Sequence, residues 1–179
     1  MLQSHSPICF WITGLPASGK TTLGLALRNE LCRRHETAYL LDGDELRRGL
    51  CSDLGLSEHD RAENIRRAGE VARLMVDAGV NTVCAFVSPF SKDRARVRQL
   101  FPTGRFFEIY LATPLDTCAS RDPKGLYAKA KRGEISGLTG FDAPYEIPPF
   151  PEFTFNATDV PVDQMLCEIF DKLKPVNKH

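Results

Sequence analysis

The sequence predicts an α/β fold, a mostly parallel five-stranded sheet flanked by helices, with a lid segment. Three observations carry this. Short apolar runs alternate along the chain with segments whose apolar residues recur at helical spacing. The first run ends in a glycine-bounded stretch that opens a helix, Gly14-Leu15-Pro16-Ala17-Ser18-Gly19-Lys20-Thr21. One long stretch, roughly 122–152, breaks the alternation with four glycines and five prolines among charges.

Taken in order, Ile8 to Thr13 is a short apolar run suited to a buried strand. From Thr21 to Arg34, Leu23, Leu27 and Leu31 repeat every four residues, as on one helix face. Thr37 to Leu41 is a second strand. A long helix is expected over about Ser57 to Ala78, with Ile65, Ala68, Ala72, Met75 and Val76 as its apolar stripe and Gly79 as its stop. Ser57 and Asp60 have the spacing of a capping box. Asn81 to Val87 is a third strand, broken by Ser88-Pro89, with a short helix from about Ser91 to Leu100. Phe106 to Leu111 is a fourth strand, followed by Thr113 as a helix cap with Pro114 at the first helical position. Phe153 to Asn156 is a short fifth strand, and Val162, Met165, Leu166, Ile169, Phe170 and Leu173 mark a final amphipathic helix. The stretch 122–152 is too long for a plain surface loop and is expected to be a mobile lid over a site.

At 179 residues the chain is expected to form one domain, 1–179, able to bury a core without metals or disulfides. The hydrophobic fraction is 42% and the charged fraction 26%, a globular composition. Lys+Arg and Asp+Glu are both 23, which argues against a general nucleic-acid binder. No apolar run approaches the ~20 residues of a membrane helix. Met1 to Pro7 lacks a basic stretch followed by an apolar one. The six cysteines (Cys9, Cys32, Cys51, Cys84, Cys118, Cys167) lie far apart and are expected to be small core hydrophobes in a reducing compartment. A cytoplasmic protein, with no membrane or nucleic-acid partner, is the expectation. The histidines His5, His35, His59 and His179 have no ligand spacing and receive no role.

The strongest signal is Gly14 to Thr21, which matches G-x-x-x-x-G-K-[ST] with a strand before it and a helix after it. Gly14 and Gly19 let the backbone turn so that successive N–H groups face phosphate oxygens, and the helix start favours anions. Pro16 removes only one of those donors. Lys20 places a charge near the transferred phosphate, and the Thr21 hydroxyl is a ligand for Mg²⁺. The P-loop NTPase fold follows. A second signal is Asp42-Gly43-Asp44, at the strand end that faces the ligand crevice of a doubly wound sheet. Asp44 is assigned as the base that receives a substrate hydroxyl proton and Asp42 as its supporting acid; a solvated turn is the alternative. Third come Arg47, Arg61, Asn64, Arg66 and Arg67, whose forks suit phosphate and sulfate, although a charged outer helix face is the plainer reading. Lys92, Arg94, Arg96, Arg98 and Arg105 add a basic stretch that suits a phosphate-attracting rim or, again, a solvated face.

Nearly the whole chain resembles the adenylyl-sulfate (APS) kinases. The resemblance rests on Gly14 through Thr22, Leu41-Asp42-Gly43-Asp44 with Arg47, and Asp53-Leu54-Gly55 leading to Asp60-Arg61. It continues through Glu63 to Arg67, Val87-Ser88-Pro89-Phe90, Arg121 to Tyr127, and Thr139-Gly140 with Ala143 to Glu146. It implies transfer of the γ-phosphate of ATP to the 3′-hydroxyl of adenylyl sulfate, giving 3′-phosphoadenylyl sulfate and ADP in sulfate assimilation. It further implies Mg²⁺ and a homodimer. Carried over by position, Gly14 to Thr22 hold ATP, and Asp44 lies near the accepting hydroxyl. Arg47, Arg61 and Asn64 hold the phosphosulfate, Ser88 joins the acceptor site, and Lys124 reaches in from the lid. The family sandwiches the acceptor adenine between two phenylalanines; here those positions are Leu56 and Leu138. Weaker APS binding or a changed acceptor is therefore expected, with Phe141 in reach to compensate. Ser91 stands where many relatives carry a basic residue, and Pro16 where they carry a small polar one.

The alternative is a related P-loop small-molecule kinase with another hydroxyl acceptor, a nucleoside or sugar derivative. A GTPase switch is disfavoured because no N-K-x-D stretch occurs, Asn177-Lys178-His179 merely ending the chain. A non-catalytic nucleotide-binding module is disfavoured by intact Lys20, Thr21, Asp42 and Asp44.

Overall fold

The computed structural model describes residues 6–173. Most of the Met1–Pro7 stretch, His5, and Asn177-Lys178-His179 lie outside the described residues. Five strands form one sheet, β1 (Cys9–Gly14), β2 (Ala38–Asp42), β3 (Asn81–Ala85), β4 (Phe106–Leu111) and β5 (Phe153–Phe155), in the order β2-β3-β1-β4-β5. Every pairing is parallel, with Trp11 opposite Cys84 on one side and Glu108 on the other. The helices are α1 (Lys20–Arg33), α2 (Gly43–Arg48), α3 (Glu58–Asp77), α4 (Ser91–Arg98), α5 (Leu115–Arg121), α6 (Leu126–Lys131) and α7 (Val162–Leu173). No described helix is long and apolar enough to cross a membrane.

Because strand side chains alternate, the central strands feed two cores. Phe10 and Ile12 of β1, Val83 of β3, and Ile109 and Leu111 of β4 pack with Leu23, Leu27 and Leu31 of α1 and Met165 and Ile169 of α7. Cys9, Trp11, Cys84 and Phe106 turn the other way, onto Ile65, Ala68, Ala72 and Val76 of α3 and Val97 of α4. The i, i+3, i+4 stripe expected on α3 is thus its buried face. Trp11 stacks on Phe86 with ring centroids 5.1 Å apart. Cys9, Cys51, Cys84 and Cys118 are buried free thiols as expected, whereas Cys32 and Cys167 are exposed.

Four local readings change. The short helix α2 was not anticipated, since six residues are too few to show a period. Pro114 is itself the cap of α5, and the Thr113 hydroxyl instead donates to the Ser18 carbonyl at 3.0 Å, bracing the phosphate loop. At the start of α3 the Asp60 N–H donates to Ser57 Oγ as a capping box requires, but the Asp60 carboxylate takes the Ser57 hydroxyl rather than a backbone N–H.

The fourth concerns 122–152, which divides in two. Its first half carries α6 and a third apolar cluster, formed by Cys118, Tyr127, Ala130 and Leu138 with Leu15 and Ala17 of the phosphate loop. Its second half is strapped to the sheet. Glu146 accepts from the Ser91 N–H, and the Tyr145 hydroxyl is hydrogen-bonded to Thr13. Glu152 pairs with Arg98 at 2.6 Å and accepts from the Glu108 N–H.

Candidate active site

The crevice lies at the carboxyl ends of β1, β2 and β3, where this topology places ligands. Gly14 ends β1 at φ 151°, and a Cβ there would sit 2.8 Å from the Leu111 carbonyl, so only glycine lets the chain turn away from β4. Gly19, at φ 103°, then hands the loop to α1 as its cap. The result is a loop whose N–H groups open onto the start of a helix. Lys20 Nζ folds back along it, donating to the Leu15 carbonyl at 2.6 Å and the Gly14 carbonyl at 3.0 Å. Burial pulls this ammonium down from the usual lysine range to about 8, with Lys124 adding to the fall and Asp42 and Asp44 opposing it.

The turn Asp42-Gly43-Asp44 is the start of α2. Asp42 caps it, accepting from the Asp44 N–H at 2.9 Å, while its other oxygen takes the Thr21 hydroxyl at 2.8 Å. Thr21 and Asp42 therefore offer two hard oxygen donors beside the phosphate loop, a set that suits Mg²⁺ held together with a nucleotide. Among the described residues no cluster of three His, Cys, Asp or Glu makes a protein-only metal cage. Asp44 is exposed to the crevice, and Lys124, between α5 and α6, lies against its carboxylate as an ion pair.

One cavity of about 1020 Å³ joins these groups to a second set. Arg47, Leu56, Arg61, Asn64, Lys124 and Leu138 line it along with Lys20, Thr21, Asp42 and Asp44. Arg47 donates to the Gly55 carbonyl at 3.1 Å. Arg61 donates to the Leu56 carbonyl at 2.8 Å and, across the cavity wall, to the Gly137 carbonyl and the Thr139 hydroxyl. Burial first, then the Arg47 charge, makes the Arg61 cation less favourable than in water. An anion placed between the two guanidinium groups relieves both effects. The Asn64 side-chain oxygen is buried with no hydrogen-bond partner, leaving a polar group on this wall with capacity to spare.

The two leucines are not equivalent. Leu56 is 57% exposed at the cavity edge, whereas Leu138 is 7% exposed and packed into the third apolar cluster. Phe141 is exposed and does not line the cavity, so it supplies no substitute ring.

Several sequence candidates have their polar groups engaged by other partners. The Ser88 hydroxyl accepts from the Trp11 indole N–H and donates to Thr13, so its polar end faces the core although the residue borders the cavity. Arg66 and Arg67 are spent on Glu63 and Asp53 and do not line the cavity. Nor does the 92–105 stretch form a phosphate rim. Lys92 pairs with Glu58, Arg94 with Glu108 and Arg98 with Glu152, and Arg105 donates to the Pro7 carbonyl. Arg94 is buried; it also donates to the carbonyls of Ser88 and Glu146, tying the end of β3 to the strap. A single sequence could not separate such a buried cation from a surface one, because its partners lie on β4 and the strap.

Two contributors carried no role in the sequence analysis. Arg121 lines the phosphate-loop end of the cavity with Ala157, donating to the Ala157 carbonyl at 3.0 Å. Tyr127 is buried under the loop, its hydroxyl donating to the Pro16 carbonyl at 3.0 Å. Both fall in the run Arg121 to Tyr127, which was already notable as a block.

A family model described as adenylylsulphate kinase matches residues 6–156. An adenylyl-sulfate kinase of Marinobacter nauticus is 52% identical over 96% of this chain and 86% of its own length. The APS kinase CysC of Mycobacterium tuberculosis, solved in complex with AMPPNP and APS, superposes with a TM-score of 0.90 at 41% identity, over 95% of this chain and 99% of its own. A hexameric APS kinase from Thiobacillus denitrificans matches 95% of this chain with a TM-score of 0.71 at 30% identity, and this chain spans 29% of that longer one. This chain, a P-loop protein with a five-stranded parallel sheet, belongs to the adenylylsulphate kinase family.

Proposed function

We propose that this chain transfers the γ-phosphate of ATP to the 3′-hydroxyl of adenylyl sulfate, releasing ADP and 3′-phosphoadenylyl sulfate. The observation that carries this reading is the single cavity with two anion-collecting ends. Lys20 and the loop N–H groups serve the donor phosphates, and Arg47 and Arg61 serve a second anion. Asp42 and Asp44 bridge the two ends through Thr21 and the first turn of α2.

In this scheme Gly14 to Thr22 cradle ATP, and Thr21, with Asp42 behind it, holds the Mg²⁺ that accompanies ATP. When bound, that ion neutralises charge on the phosphates. Arg47, Arg61 and Asn64 orient the phosphosulfate end of the acceptor, with Leu56 and Leu138 as aliphatic walls for its base. Asp44 accepts the proton of the attacking hydroxyl. A new bond forms from that oxygen to the γ-phosphorus as the bond to the β–γ bridging oxygen breaks and ADP leaves. Lys20 and Lys124 meet the negative charge that shifts onto the leaving side. We further propose that residues 1–179 act as one kinase domain, with roughly 122–152 contributing the lid, and that the chain works as a homodimer in the cytoplasm.

The test is ADP release from Mg-ATP with and without adenylyl sulfate, with 3′-phosphoadenylyl sulfate identified by chromatography. Acceptor-dependent ADP release with that product is expected. ATP binding without such turnover overturns the reading in favour of a kinase for a nucleoside or sugar-derived hydroxyl. Sedimentation at twice the monomer mass is expected for the homodimer, and a monomer overturns that part.

A further inference from the structure

Tyr127 does not line the cavity, yet it hydrogen-bonds to one wall and shares an apolar cluster with residues of both. Its side chain is among the most buried in the molecule, at 1% exposure. The hydroxyl donates to the carbonyl of Pro16, in the middle of the phosphate loop. The ring packs in the cluster that also contains Leu15 and Ala17 of that loop and Ile135 and Leu138 of the acceptor wall. Ile135 and Leu138 also line the cavity. Burial holds the phenol protonated well above the usual tyrosine range, so it acts as a fixed donor.

A second contact closes the same seam. Gly140, at φ +86°, lies so close to Leu15 that an added Cβ would fall 2.5 Å from Leu15 Cδ2. From that wall, Gly137 and Thr139 accept hydrogen bonds from Arg61. Packed side chains and directed hydrogen bonds thus run without a gap from the phosphate loop to an acceptor-site guanidinium. A close-packed seam of this kind passes a shift of one wall to the other instead of absorbing it.

We propose that Tyr127 is a positioning residue that couples the phosphate loop to the acceptor wall, so that ATP and the acceptor bind cooperatively. The inference rests on the function proposed above, and the experiment separates the two. Dissociation constants for adenylyl sulfate are measured by calorimetry with and without AMPPNP, in the wild type, Tyr127→Phe and Leu15→Ala. Tyr127→Phe keeps the ring in its cluster and deletes only the hydroxyl.

In the wild type, AMPPNP is expected to tighten adenylyl sulfate binding. Loss of one buried hydrogen bond is expected to cut that coupling factor about fivefold in Tyr127→Phe. Affinity for adenylyl sulfate alone should change by less than about twofold, because no acceptor contact is removed. A purely structural role would lower the melting temperature and leave the coupling factor intact. An unchanged coupling factor in folded Tyr127→Phe overturns the inference, as does a wild type that binds both ligands with a factor of one; the proposed function survives either result. A wild type that binds no adenylyl sulfate overturns the function and the inference together. If Tyr127→Phe does not fold, Leu15→Ala decides, a reduced factor supporting the seam and an unchanged one overturning it.

Discussion

The two ends of the cavity are built in opposite ways. The donor end is one continuous stretch, Gly14 to Thr22, whose shape follows from two glycines at positive φ and a helix start. Thr113 and Tyr127 brace it from outside through backbone carbonyls. The end proposed for the acceptor is assembled from separate segments, with Arg47 on α2, Leu56 on a loop, Arg61 and Asn64 on α3 and Leu138 in the stretch after α6. Its central cation, Arg61, is held by backbone and hydroxyl oxygens of residues 76 and 78 positions away. A backbone-built anion site depends on few side chains, here Lys20 above all. A side-chain-built one changes its preference with single substitutions, and that is where the two leucines sit.

The sharpest way to break this comparison is at the donor end. Lys20→Ala is expected to reduce turnover by about a thousandfold or more, since it removes the charge on the transferred phosphate. Near-normal turnover would remove the loop from the reaction. Asp44→Asn comes next, with a fall in kcat of about a thousandfold and nearly unchanged nucleotide affinity. An equal loss of nucleotide binding would instead mark Asp44 as a donor-site residue. Arg61→Ala, which strips charged hydrogen bonds from the acceptor wall, is expected to raise the KM for adenylyl sulfate about a hundredfold while moving the KM for ATP far less. Equal effects on both would erase the distinction between the ends.

Acidity gives a smaller effect. Lys20 is charged below about pH 8 and loses its proton above it. The kcat/KM for ATP should therefore fall about tenfold per pH unit above that point, whereas kcat holds to higher pH because bound phosphates favour the ammonium. The sign for folding is opposite. From about 8 to the ordinary 10.5 the unfolded chain binds the extra proton, so this group makes the fold more stable as pH rises. A flat kcat/KM profile through this window would contradict a half-buried, functional Lys20. The smallest effect expected is a gain. Leu56→Phe should tighten adenylyl sulfate roughly fivefold by restoring a stacking face at the exposed edge. Unchanged binding would place the acceptor base elsewhere.

Much of the architecture was legible from periodicity. The five strands and the long helices appear within a residue or two of their expected bounds, because each buries a stripe that repeats at its own period. The short α2 and α6 were not legible, as neither completes two turns. Charge was harder to interpret. The sequence shows Arg61, Arg66, Arg67, Arg94 and Arg98 as one kind of residue. The fold makes Arg61 a cavity cation, Arg67 a partner of Asp53 and Glu63, and Arg94 a buried tie for the end of β3. Those fates depend on which acidic groups and carbonyls arrive from distant segments.

Taken alone, the sequence determined the phosphate loop, the parallel sheet that presents it, and the family. The first two rest on local chemistry, the glycine torsions, the missing side chain at Gly14 and the apolar patterning, whereas the family rests on a resemblance carried by motif blocks in order. Only the tertiary structure decided that the stretch 122–152 is half packed beneath the phosphate loop and half strap, that Leu138 is packed while Leu56 is open, and that the Tyr127 hydroxyl meets the phosphate loop. These are long-range contacts made after the sheet has brought its strand ends together, and no spacing along the chain encodes which distant carbonyl a buried donor will meet.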